Sequence, residues 1–182
     1  MPTASFVKPE TLCDISLTAK NKKFINFIFY RDIMTKKRHQ NIPASYLTLF
    51  KDNKILLLRR FNTGYEDGKY SMVAGHVDPN ETFTQCIIRE AEEEAGILLN
   101  PEDLKVVHVM HRNSGTAENN ERVDVFFIAE KWDGEITNKE PHKCDDLSWF
   151  DLDSIPENVI PYIRQAIEGI KNKIYYSEHG WQ

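Results

Sequence analysis

The sequence predicts an α/β fold: an αβα sandwich around a mixed β-sheet. Three observations predict it. Short β-like apolar runs alternate with polar turns, one central helix carries explicit start and stop signals, and a second amphipathic helix lies near the C-terminus. The chain has 182 residues, 41% of them hydrophobic and 28% charged, which suits one domain with a real core.

Residues 45–50 and 54–60 read as strands, and Lys51-Asp52-Asn53 between them is a turn signal, so a hairpin is expected. A polar loop at residues 62–68 leads into a short strand at 70–73. The central helix spans 83–95. Thr82 and Gln85 form its capping box, and Gly96 stands where a left-handed C-cap belongs. Residues 104–112 and 122–132 form a second hairpin across the polar loop 113–121. A short strand follows at 147–150, then an amphipathic helix at 160–171, entered through Pro161. The aromatic tail, Tyr175 to Trp181, has two readings open: it folds back to stack on a base, or it docks the chain end on the domain.

The central helix has two unlike sides. Phe83, Ile87, Ile88, Ala91 and Ala95 make an apolar face that must pack on the domain. Glu90, Glu93 and Glu94 stand at i, i+3 and i+4, within roughly a 100° arc, and are thereby turned toward a cleft. Like charges so spaced repel by about 0.2–0.5 kcal/mol per pair. Taken alone the pattern also fits a solvated acidic face. Breaking a local rule in this way is more typical of a functional site. Hard cations such as Mg²⁺ take oxygen ligands, typically a few carboxylates plus substrate phosphates. Arg89 lies among the acids and can brace the preceding loop through Glu81.

The full spacing is Gly75, five residues, Glu81, seven residues, Arg89-Glu90, two residues, Glu93-Glu94, one residue, Gly96-Ile97. It resembles the Nudix box, the signature of the Nudix (MutT-like) hydrolase superfamily. The match covers 23 residues directly, and the order of elements extends the resemblance to about residues 43–182. Two positions depart from the pattern: Ala91 replaces a larger aliphatic, and Val73-Ala74-Gly75 replaces the commoner Pro-Gly-Gly.

The resemblance implies a Nudix-type sandwich. It also implies Mg²⁺-dependent hydrolysis, with Mn²⁺ as a substitute, in which water attacks an internal phosphorus of a nucleoside triphosphate or nucleoside diphosphate derivative. Carried onto this sequence, the metal ligands are Glu90, Glu93, Glu94 and the backbone carbonyl of Ala74. The catalytic set is Glu90 and Glu93 with Arg89, and Gly75, Glu81 and Gly96 serve as structural braces. The base is a box glutamate or a later acid, with Glu118, Glu121, Asp124 and Asp145 as candidates. The candidates for substrate contacts are Arg59, Arg60, His76 and Arg112, since arginine suits phosphate geometry. His108 and His111 lie three apart on one strand and point to opposite faces, so at most one sees the cleft.

The net charge of −5 argues against nonspecific nucleic-acid binding. The expected partner is a small nucleotide, with a homodimer as a further possibility common in the superfamily. Nothing approaches the roughly 18 apolar residues of a membrane span. Three widely spaced cysteines, Cys13, Cys86 and Cys144, point to a reducing compartment, hence the cytoplasm. Residues 1–42 hold 8 of the 23 basic residues and 3 of the 28 acidic ones, so this segment is +5 and the rest −10. It reads as a basic extension: a docked element, a targeting or disordered segment, or the product of a coding start set too far upstream. Two further function classes stay open: a nucleotide sensor without turnover, and an RNA cap hydrolase tethered by the basic extension. Arg112 and Ser114 stand where some Nudix subfamilies carry a marker proline or tyrosine, and Val159 to Tyr162 replaces the aspartate pair of the oxidised-purine enzymes. Substrate identity is therefore not legible in the chain.

Overall fold

The computed structural model describes residues 39–115 and 120–181. Nearly all of the basic extension lies outside these residues, as does Glu118. The described strands form two sheets. β1 (Ile42–Thr48) pairs antiparallel with β5 (Val73–His76) and parallel with β7 (Glu121–Ala129). β6 (Leu104–Asn113) continues this sheet antiparallel to β7, and β9 (Tyr176–His179) closes it parallel to β6. The second sheet is centred on β3 (Lys54–Arg60), which pairs with β2 (Phe50–Lys51), β4 (Tyr70–Ser71) and β8 (Cys144–Asp151).

Alternation along the strands separates two cores. On β1, Ala44 and Tyr46 enter one core and Leu47 enters the other. On β3, Ile55 and Leu57 part in the same way from Leu56 and Leu58. Strands covered on both faces read as continuous apolar runs, which is how these segments appear in the sequence. Helix α1 (Phe83–Ala95) packs on β1 and β5, burying Ile87, Ala91 and Ala95 in the core that holds Leu47 and Phe127. Helix α2 (Pro161–Lys171) buries Tyr162, Ile163, Ala166 and Ile167 in the core that holds Tyr46 and Phe126. The two helices therefore cover opposite sides of β1 and β7, giving the αβα sandwich around a mixed sheet.

Helix α1 runs over the expected residues. Thr82 Oγ accepts from the Gln85 N–H, the Gln85 side chain accepts from the Thr82 N–H, and Gly96 caps the end in the left-handed region. Elsewhere the structure corrects the expected strands. Only Phe50–Lys51 forms the hairpin with β3, through Asp52 and Asn53 at positive φ. β1 instead leaves for the other sheet, where both its faces are covered. The expected strand at 70–73 is two strands, and the chain changes sheets at Met72, which is 1% exposed. β7 ends at Ala129, so Trp132 lies beyond it, facing Trp149. β8 is twice the expected length, and the tail supplies the strand β9. Among the described residues no helix is long and apolar enough to cross a membrane.

Candidate active site

Helix α1 turns its polar side toward a cavity of about 560 Å³ between the two sheets. Ala74, Arg89, Glu90, Glu93 and Glu94 line it, together with Arg60, Asn62, Thr63, Glu140 and Lys143. The apolar packing of Ile87 and Ala91 fixes the helix rotation, and the i, i+3, i+4 spacing then brings the three glutamates onto one wall.

The acids are held by a short chain of contacts. Arg89 donates to both oxygens of Glu81, from Nε at 2.9 Å and from Nη2 at 3.0 Å. Glu81 Oε2 also accepts from the Asp78 N–H at 2.9 Å, so the loop before the helix is tied to it. The Arg89 guanidinium holds the Glu81 carboxyl down at about 2. Through Nη1, Arg89 also reaches Glu90 and, at 3.2 Å, Glu93. Cys86 is fully buried one turn earlier and donates its thiol to the Gly75 and His76 carbonyls. Glu94 Oε2 accepts from the Ala74 N–H at 3.0 Å, which joins the helix to β5. Burial nevertheless raises the Glu94 carboxyl to about 8, with Glu90 and Glu140 adding to the rise. Burial likewise raises Glu90 against the pull of Arg89. Gly75 admits the Glu90 carboxylate, because a Cβ at 75 would lie inside it.

Among the described residues no three His, Cys, Asp or Glu side chains converge into a ready-made cation cage. Arg89 occupies the space between Glu90 and Glu93. The donor chemistry nonetheless suits a hard cation. Glu90, Glu93, Glu94 and the Ala74 carbonyl offer oxygen donors, and burial pushes up the Glu90 and Glu94 carboxyls, a cost that a divalent ion offsets.

A second cavity of about 390 Å³ adjoins the first, with Arg60 and Ala74 lining both. Its other residues include Tyr46, Tyr65, His76, Arg112, Arg122 and Tyr162. Arg60 donates to the Tyr65 carbonyl at 2.7 Å and to Thr63 Oγ1 at 3.0 Å, which binds the loop 62–68 to the junction. His76 is hydrogen-bonded to Arg122. Burial and the neighbouring Arg122 disfavour a proton on His76, with smaller contributions from Arg112 and Arg60.

The structure redistributes the candidates for substrate contacts. Arg60 and His76 line cavities. Arg59 lines neither cavity and pairs with Asp145 at 2.8 and 3.0 Å, which removes both from the cleft. Arg112 is 2% exposed, pairs with Asp124 at 2.6 Å and lies 3.8 Å from the Tyr162 ring centroid. It is thus a neutralised floor of the second cavity, not a projecting cation, and Asp124 is committed to it. His111 Nε2 lies 3.6 Å from Glu121. His108 is buried between Ile174 and Ser177, and neither strand histidine lines either of these two cavities. The tail also lines neither: Trp181 donates to the His111 carbonyl at 3.0 Å and docks there. Glu140, Lys143, Arg122 and Tyr65 were not singled out in the sequence. No local spacing marks them, because loop contacts and strand pairing bring them in.

Comparison with known proteins accords with this geometry. A family model described as NUDIX domain matches residues 40–169. An NAD-capped RNA hydrolase NudC of Chromobacterium violaceum is 30% identical over 74% of this chain and 49% of its own length. An ADP-ribose pyrophosphatase of Methanocaldococcus jannaschii is 28% identical over 59% of this chain and 60% of its own. The chain thus spans about half the length of such curated relatives. Among solved structures, a MutT NUDIX hydrolase from Burkholderia pseudomallei superposes with a TM-score of 0.65 at 28% identity, over 71% of this chain and 98% of that one.

Proposed function

This chain belongs to the Nudix family of hydrolases, and from that premise we propose that it is a Mg²⁺-dependent pyrophosphohydrolase of nucleotides. In this reading water attacks an internal phosphorus of a nucleoside triphosphate or nucleoside diphosphate derivative. The observation that carries the reading is the single cavity wall on which Glu90, Glu93 and Glu94 stand with Ala74 and Arg89.

The residues that would hold the cation are Glu90, Glu93 and Glu94, with the Ala74 carbonyl. When bound, it supplies Lewis-acid polarisation of a phosphoryl oxygen and lowers the pKa of a water. Glu81 fixes Arg89, and Arg89 steadies Glu90 and Glu93. Arg60 stands at the junction and places positive charge on the phosphate chain. Glu140 is the one acid outside α1, among the described residues, that lines the cavity, so it joins the box glutamates as a candidate for the base. Relatives named an NAD-capped RNA hydrolase and an ADP-ribose pyrophosphatase favour a nucleoside diphosphate derivative over a triphosphate. The first of these names also keeps capped RNA as a second reading, with the basic residues 1–42 as tether. Buried free Cys86 and Cys144 support work in a reducing compartment such as the cytoplasm.

The test is release of nucleoside monophosphate, phosphate or pyrophosphate across a nucleotide panel with Mg²⁺, beside a Glu93→Gln, Glu94→Gln double variant. Turnover of one substrate class, lost in the variant, supports the hydrolase reading. Tight nucleotide binding without turnover overturns it in favour of a sensor. Deleting residues 1–33 separates the capped-RNA reading, which requires RNA cleavage to fall while small nucleotides are still cleaved.

A further inference from the structure

We propose that the second cavity is a phosphate-reading pocket. It takes a phosphate esterified to the ribose of the nucleotide, remote from the bond that is cleaved, and Arg122 reads it. The inference rests on the hydrolase reading in one respect: the scissile pyrophosphate occupies the neighbouring acidic cavity.

The two cavities differ in sign. The first is lined by Glu90, Glu93, Glu94 and Glu140. The second has no acidic residue in its lining and holds Arg60, Arg112 and Arg122. Arg112 is neutralised by Asp124 beneath it. Arg60 and Arg122 are not: among the described residues neither has a carboxylate partner within ion-pair distance. Arg122 spends Nε on Ser114 Oγ at 3.3 Å and Nη1 on His76 Nε2, and Nη2 takes no partner among the described residues. These two contacts aim the guanidinium while leaving its charge unspent.

An uncharged base alone in this pocket would desolvate two arginines without neutralising either, which is costly. A phosphate would pair with them through charge-assisted hydrogen bonds. The positions divide the work. Arg60 lines both cavities and so serves the phosphate chain as it crosses the junction. Arg122 lines only the second cavity and is left for a further anionic group. Tyr65, 42% exposed at the rim, offers a ring for the attached base. At about 390 Å³ the pocket has room for one half of a dinucleotide.

The ribose phosphate could be the 2′-phosphate of a small nucleotide or the 3′-phosphodiester of an RNA chain, and binding separates the two. Calorimetry without added metal compares AMP, adenosine 2′,5′-bisphosphate and the dinucleotide pApA, using wild type, Arg122→Gln and Arg122→Lys. Either phosphorylated ligand should bind about tenfold or more tighter than AMP, the scale of a charge-assisted pair. Arg122→Gln should bring that ratio close to one, and Arg122→Lys should retain part of it. A preference for the bisphosphate assigns a small nucleotide, and a preference for pApA assigns an RNA-type phosphodiester. Equal binding of all three ligands overturns the inference, and so does a preference that survives Arg122→Gln. Matching melting curves of the variants exclude misfolding as the cause. Hydrolysis of ADP-ribose and of its 2′-phosphate is followed separately. Where binding prefers the bisphosphate, turnover of both at equal efficiency overturns the inference and leaves the hydrolase reading standing. Turnover of neither of these nor of any nucleotide in the panel, with the binding preference intact, overturns the hydrolase reading instead.

Discussion

Gly75 and Glu90 are matched across the interface of β5 and α1: the Glu90 carboxylate occupies the space that any side chain at 75 would fill. The glycine is needed for a close approach and not for its backbone freedom. Gly75→Ala should displace Glu90 from the cavity wall, and a displacement of about 1 Å at a reacting centre costs on the order of 10²-fold in rate. The measurements are kcat on the substrate found in the panel and Mg²⁺ affinity by titration. Wild-type values for both would show that Glu90 need not hold its present place.

Glu81 and Arg89 give a pH-dependent contribution to stability. The folded carboxyl is held at about 2 against an ordinary value of 4.5, so the folded state favours the charged form. That stabilisation is fully present above pH about 4.5 and is lost as pH falls toward 2. The melting temperature of Glu81→Gln should lie below wild type at pH 7, and the gap should close through this acid window. A gap that stays constant down to pH 2 would sink the pairing.

Arg112 and Asp124 are a buried pair, 3% and 0% exposed at the side chain, and breaking such a pair strands a charge. Asp124→Ala should cost about 3–5 kcal/mol, which corresponds to a fall of about 10 °C or more in melting temperature for a domain of this size. The double change Arg112→Met, Asp124→Leu should recover most of that loss. Equal melting temperatures for the single and double variants would contradict this.

His108 depends on the tail. Its two ring nitrogens meet the Ile174 carbonyl at 2.7 Å and Ser177 Oγ at 2.8 Å. Removing residues 174–182 should leave both without partners and expose the edge of β6. We expect a loss of at least about 2 kcal/mol and a greater tendency to aggregate, read by denaturant titration and light scattering. Unchanged stability would show that β9 is dispensable.

What the sequence determined by itself was local. The limits of α1 were legible because Thr82, Gln85 and Gly96 act within one turn of the helix ends. The alignment of Glu90, Glu93 and Glu94 was legible because helical geometry fixes which residues share a face. The reach from Arg89 to Glu81 spans only eight positions.

What tertiary structure decided depends on groups distant in the chain. β1 left its expected hairpin for a central place between β5 and β7, where Tyr46 on one face and Leu47 on the other are both covered. Arg59 and Arg112 looked alike as candidate cations, yet the first pairs with Asp145, 86 positions away, and the second is buried against Asp124. Glu140 and Arg122 entered the cavities through a loop and a strand whose neighbours no short pattern specifies. Helix caps and faces obey a fixed short period, whereas strand partners and ion pairs are chosen by competition across the whole fold.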